Sequence, residues 1–345
     1  MDCRSLGGKP VTYTFSTHGL PLNADPQVLL FSDVDDTYIP WKVYNREAET
    51  DKLQRTRGTL EEFRGDTINA FCSARSLSSL QQLLPYFSGI PLQILGTNGG
   101  QQVFVNYNNL PAEQWLPSLS MQDRDLLWDQ RVQSLSGGFE ATRALEELRD
   151  VLEEARFEKT SNQWPPPLDT RECWKVELEN RPGQFAVVAL TPDQTSFMVR
   201  ADARDPGAPM SEEHKALARR LADRFETKMA FAGVDAEAKL FIDKPDHVIY
   251  LLQPERVCKE TLLEHLVERY PSVHAIITAG DNSNDSQLSQ PAYSDVPNYR
   301  IVSGDRAEII HNLVGQENVV IVDKGDLSPG LKSHLGNLLE SESSG

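Results

Sequence analysis

At 345 residues the chain exceeds what one ordinary hydrophobic core organises, so two domains are expected. Hydrophobic residues make up 39% and charged residues 25%, a globular composition that excludes collagen-like and grossly disordered classes. Acidic residues number 51 against 34 basic ones, a net charge of −17 that argues against nucleic acid or an anionic membrane surface as partner. A phosphorylated ligand would have to be drawn in by a local positive feature such as a metal. Cys3, Cys72, Cys173 and Cys258 are scattered without a CxxC pair and read as reduced thiols rather than a disulfide frame or zinc site. The first residues lack the apolar stretch of a signal peptide, and no window is long and apolar enough to span a bilayer. The expectation is therefore a soluble, cytoplasmic protein. The sequence does not indicate an oligomeric state.

Residues 1–26 are polar and punctuated by Pro and Gly, a loose lead-in. Gln27–Asp33 is an apolar run ending in acids, as in a central strand of a parallel sheet. Thr67–Cys72 repeats the pattern and precedes a helix-like Arg75–Phe87 segment. A third run, Pro91–Leu95, leads into the glycine-rich turn Gly96-Thr-Asn-Gly-Gly100. From Pro111 to about Phe157 the chain reads as charged helices, Leu145, Leu148 and Leu152 forming a narrow stripe, before the breaker Trp164-Pro-Pro-Pro167. Alternating runs at Trp174–Glu179, Gln184–Leu190 and Ser196–Arg200 predict half-buried antiparallel strands. A helix over Glu212–Thr227 separates them from further runs at Lys239–Ile242 and His247–Leu252. Then the first rhythm returns: a helix over Thr261–Tyr270, strands at Val273–Thr278 and Arg300–Val302, a helix around Ala307–Leu313, and a strand at Val319–Val322. Strands alternating with helices predict a parallel sheet covered on both faces. The expected organisation is an α/β core over 27–100 and 246–335, an inserted α+β domain over 101–245, and a flexible tail over 336–345.

Four short motifs fall at the carboxyl ends of predicted strands, where open α/β sheets bind ligands. In Asp33-Val-Asp35-Asp36-Thr37, two carboxylates at i and i+2 can converge on one cation while one attacks; an acidic turn is the plain alternative. Ser73-Ala74-Arg75 offers a hydroxyl and backbone amides to a phosphate oxygen, or simply a helix cap. Lys259 stands in the first turn of a helix, against the dipole, so anion stabilisation or plain solvation must account for it. In Gly280-Asp281-Asn282-Ser283-Asn284-Asp285, the glycine turns the chain and the two acids can reach one metal; the spacing of a calcium loop is absent.

Asp-x-Asp-x-Thr, strand–Ser, Lys and Gly-Asp-x-x-Asn-Asp, in that order, resemble the haloacid dehalogenase (HAD) superfamily. The long gap between the second and third motifs, and the Asn98-Gly99 turn, are similar to its Cof-type, C2-capped branch. That branch includes sucrose-phosphate phosphatase-like and mannosyl-phosphoglycerate phosphatase-like enzymes. The resemblance covers roughly residues 27–322 in layout and rests on the short motifs. It implies a Rossmann-like parallel-sheet core with an inserted C2-type cap, and a Mg2+-dependent phosphatase acting on a sugar phosphate or other small phosphomonoester. It implies Asp33 as nucleophile, which the spacing alone does not decide, Asp35 as general acid and base, and Lys259 as the stabilising cation. It also implies Mg2+ ligands Asp33, Asp35, Asp281 and Asp285, with phosphate held by Ser73, Ala74, Lys259 and Asn284. Arg75 and Asn98 are expected at the substrate rim, and Lys175 and Arg200 are candidates in the cap. Asp36 stands where many relatives have glycine, and Ser73-Ala74-Arg75 replaces the commoner Thr-Gly-Arg. Alternatives are a phosphotransferase or phosphomutase with the same nucleophile, a phosphoprotein phosphatase, or an inactive binding module.

Overall fold

The computed structural model describes residues 27–40, 50–137, 139, 141–160, 172–177, 184–190, 197–203, 209–243, 247–281, 285–304, 313 and 316–342. The expected lead-in 1–26, the Trp164–Pro167 breaker and nearly all of the helix expected around Ala307–Leu313 lie outside the described residues.

One sheet is mostly parallel. Its strands are β1 (Val28–Asp33), β2 (Thr67–Cys72), β3 (Ile94–Thr97), β4 (Gln102–Val105), β11 (Ala275–Gly280), β12 (Ala292–Tyr293), β13 (Val296–Ser303) and β14 (Val319–Val322), in the order β12-β13-β11-β1-β2-β3-β4, with β14 also paired to β13. All pairs are parallel except β3–β4 and β12–β13. β1 is central and buried along its whole length, so its sequence is continuously apolar rather than alternating. One face packs on α1 (Thr50–Glu62), the short helices α2 (Leu77–Gln81) and α3 (Leu84–Phe87), and α4 (Ala112–Ser118). The other face packs on α5 (Leu126–Leu135) and, further along the chain, the helix Lys259–Arg269. Pro85 at the start of α3 splits the single helix expected over Arg75–Phe87 in two.

The second sheet is antiparallel throughout, in the order β5-β6-β7-β8-β10-β9. Its strands are β5 (Glu158–Thr160), β6 (Glu172–Glu177), β7 (Gln184–Leu190), β8 (Phe197–Ala203), β9 (Ala236–Asp243) and β10 (His247–Pro254). Helices α6 (Ala141–Glu154) and α7 (Glu212–Phe231) cover one face, where Leu148, Val151, Leu152, Leu221 and Phe225 meet Trp174, Val248 and Leu252. Ile249, Leu251 and Gln253, at the intervening positions of β10, occupy the opposite face. Lys175 and Arg200 stand on the same cross-strand row as Ile249.

Sheet membership puts Gln102–Val105 with the parallel sheet and His247–Pro254 with the antiparallel one, so the strands do not divide at 100/101 and 245/246. The stretch from 336 is not a flexible tail from its start: the last described helix runs Ser328–Glu342, with Leu331 and Leu335 buried on the core. Its close approach to β13 requires Gly330, where a Cβ would lie 2.9 Å from Ile301. With the helix at 259–269 numbered α8, this one is α9. No described helix is long and apolar enough to cross a membrane.

Candidate active site

The carboxyl ends of β1, β2 and β11 meet at one place, and the four motifs arrive there together. Asp33, the last residue of β1, is buried. The chain then folds back on itself, the amides of Tyr38 and Ile39 donating to the Val34 carbonyl at 3.1 and 2.8 Å. Lys259, the first residue of α8, is buried and donates from Nζ to the carboxylates of Asp33 and of Asp285, the latter at 2.7 Å. Asp285 Oδ2 accepts the Asp281 amide at 2.9 Å. Gly280 makes this fold-back possible, because a Cβ there would lie 2.5 Å from Asp285 Oδ2. Oxygens of Asp33, Asp281 and Asp285 all lie within 4.8 Å of one another.

Burial pushes the Asp33 carboxyl well above its ordinary range; Lys259 opposes this, while Asp285, Asp35 and Asp281 add to it. Burial works against the Lys259 ammonium, yet Asp285 and Asp33 together hold its proton more tightly than usual. Lys259 thus pairs with two buried carboxylates, Asp33 and Asp285, and the buried Asp281 adds a third set of hard oxygen donors close to both. That donor set fits a divalent cation of the Mg2+ kind.

The second half of the site is held by Arg75. Its Nε donates to Asp35 Oδ1 and Oδ2 at 3.0 and 2.9 Å, its Nη2 donates to Oδ1 at 2.8 Å, and Ser73 Oγ donates to Oδ2 at 3.2 Å. A planar guanidinium fixes both position and orientation of a carboxylate in this way. The Ser73–Arg75 loop is clamped in turn: the Asn98 amide donates to the Arg75 carbonyl at 2.8 Å and the Gly99 amide to the Ser73 carbonyl at 2.9 Å. Asn98, Gly99 and Gly100 all have positive φ, at 50°, 69° and 98°. At Gly100 a Cβ would sit 3.1 Å from the Cys258 carbonyl, so the start of α8, and with it Lys259, rests directly on this turn.

The structure therefore brings together Asp33, Asp35, Ser73, Arg75, Lys259, Asp281 and Asp285. Ala74 is half-buried between Ser73 and Arg75. Asn98 enters through its backbone, and Asn284 lies outside the described residues. Sequence reasoning did not find two supports. Trp128 Nε1 donates to the Gly100 carbonyl at 2.8 Å and steadies the turn from below. Gln253 approaches from the antiparallel sheet, its Oε1 3.7 Å from where a Gly99 Cβ would be, and its Nε2 donates to Glu237 Oε1 at 2.7 Å. Neither carries a local signal, since each depends on elements far apart in sequence.

In sequence, no protein-family model and no curated protein matches the chain. In structure it is similar to the sucrose-phosphatase of Synechocystis sp. PCC6803, solved with sucrose and phosphate, with a TM-score of 0.50 and 13% identity over 90% of this chain and 98% of that one. It is similar also to yhjK, a haloacid dehalogenase-like hydrolase protein from Bacillus subtilis, with a TM-score of 0.52 and 15% identity over 93% of this chain and 94% of that one. At this identity the likeness is one of fold, and it spans both sheets: the chain has the Rossmann-like core and inserted α+β cap of haloacid dehalogenase-like hydrolases.

Proposed function

We propose that this chain, built on the haloacid dehalogenase fold, is a Mg2+-dependent phosphomonoester hydrolase that works through an aspartyl-phosphate on Asp33. The observation that carries this reading is the convergence of Asp33, Lys259, Asp281 and Asp285 at the end of β1, beside an Asp35 oriented by Arg75. Asp33 attacks phosphorus and forms an acyl phosphate as the bond to the leaving-group oxygen breaks. Asp35 gives that oxygen its proton, then takes one from the water whose oxygen attacks phosphorus and frees Asp33. Arg75 and Ser73 hold the Asp35 carboxylate for both transfers. Lys259, with Ser73 and the amides of the Ser73–Arg75 loop, binds the transferring phosphoryl oxygens. Asp33, the Asp35 carbonyl, Asp281 and Asp285 would hold the cation. Bound there, it offsets charge on the phosphoryl oxygens.

The polar pair Gln253 and Glu237, of which Gln253 reaches the Asn98–Gly99 turn, suits a hydroxyl-bearing leaving group and supports a sugar phosphate or similar small polar phosphomonoester as substrate. The test is phosphate release from a panel of phosphomonoesters with Mg2+ and with chelator, wild type beside Asp33→Asn. Release that needs Mg2+ and vanishes in the variant is expected. A folded, Mg2+-supplied wild type that releases phosphate from no member of the panel sinks the reading.

A further inference from the structure

Asp36, in the loop between β1 and α1, holds φ at +59°, a left-handed conformation that costs an L-residue other than glycine free energy. All of its polar groups are engaged. Its amide donates to the Ile39 carbonyl at 2.9 Å, its carbonyl accepts Ser303 Oγ at 2.8 Å, and its carboxylate pairs with Lys324 Nζ at 3.1 Å.

Lys324 belongs to the turn between β14 and α9, and that turn is itself pinned. Arg55 Nη2 binds Asp326 at 2.6 Å, the Leu327 amide donates to Thr56 Oγ1 at 3.0 Å, and the Gly325 amide donates to Ser303 Oγ at 3.4 Å. The fit leaves no slack: a Cβ on Gly325 would fall 1.9 Å from Pro40 Cγ, and one on Gly304 3.0 Å from Lys324 Cε.

The side chains of Lys324 and Asp36 are 38% and 24% exposed, so the pair contributes little to stability. Its place in the chain gives it another use. Asp36 follows Asp35 directly, and rotation about the Asp36 backbone would swing the Asp35 carboxylate away from Arg75 and Ser73. We propose that the Asp36–Lys324 ion pair is a positioning device that locks the left-handed conformation at Asp36 and so holds Asp35 in register with the nucleophile.

The kinetic test rests on the phosphatase reading above. Lys324→Met should lower kcat up to about fivefold while KM stays within about twofold, the signature of a displaced catalytic group rather than lost binding. Glycine needs no partner to hold positive φ, so Asp36→Gly with Lys324→Met should recover kcat to within about 1.5-fold of wild type. Unchanged kcat in Lys324→Met, a raised KM alone, or no recovery in the double variant would each overturn the proposal. A readout independent of turnover separates its failure from that of the phosphatase reading. Hydrogen exchange at the Asp36 amide should quicken in Lys324→Met while the thermal midpoint holds, and unchanged exchange there overturns the clamp whether or not any phosphomonoester is cleaved.

Discussion

Two buried aspartates in the parallel-sheet domain stand in opposite circumstances. Asp125, the cap of α5, has a partner for each oxygen: Arg269 Nη1 and Tyr107 Oη donate to Oδ2, both at 2.7 Å, and the Trp128 amide donates to Oδ1 at 2.9 Å. Burial works against its charge, but Arg269 and Tyr107 outweigh that and hold the carboxyl below the usual range. Asp33 is also buried, yet it shares Lys259 with Asp285 while Asp281 stands by, and its carboxyl is pushed up instead. In the first cluster each carboxylate oxygen has its own donor; in the second, three carboxylates crowd together beside Lys259. A cluster in which every oxygen has its donor serves architecture, whereas hard oxygens crowded together suit a cation.

The largest expected effect breaks the crowded side. Asp33→Asn should cut phosphomonoester turnover by at least ~1000-fold. Its thermal midpoint should equal or exceed that of wild type, because one carboxylate of a crowded set is neutralised. A large fall in midpoint would show that the cluster is architectural and defeat the comparison. Arg269→Met attacks the fully paired side, where the two side chains are 8% and 1% exposed. Removing one partner of such a pair costs about 3–5 kcal/mol. Chemical denaturation should show that loss, while kcat of the folded fraction stays near wild type. A collapse of kcat without loss of stability would move Arg269 into the catalytic apparatus.

Legibility in the sequence follows the same division. Three of the four motifs were readable because each is local and closes a strand whose burial makes it continuously apolar, as at Val28–Asp33, Thr67–Cys72 and Ala275–Gly280; Lys259 instead opens α8. The antiparallel strands β6 to β10 were readable from alternation, but the three-residue β5 (Glu158–Thr160) is too short to show one. Helix α1 was not, since two of its buried positions are Thr56 and Thr59, whose hydroxyls bond the Leu327 amide and Ser328 Oγ across to α9. Buried threonines break the apolar period that marks a helix face. The same pairing hid α9, whose opening Ser-Pro-Gly reads as a turn until Ile301 is seen to need the space at Gly330. In the site, the roles of Gly100, Trp128 and Gln253 arise only when distant segments meet, and no pattern within one segment could have announced them.

The smallest effect refines the fully paired side. His265 on α8 is buried against Trp128, ring centroids 5.1 Å apart, and among the described residues its Nε2 has no partner. Burial, with Arg269 and Arg131 adding repulsion, pushes the imidazole down to about 4. The folded value lies below the ordinary value of about 6.5, so between these limits the unfolded chain binds the extra proton. Stability is then full above pH 6.5 and is lost as pH falls towards 4, by up to about 3 kcal/mol from this one group. His265→Gln should flatten that part of the pH profile of unfolding free energy and leave the profile above pH 7 parallel to wild type. Were the acid-side slope unchanged in the variant, the Asp125–Arg269 neighbourhood would be more open to water than its geometry indicates. Its contrast with the crowded carboxylates around Asp33 would then lose force.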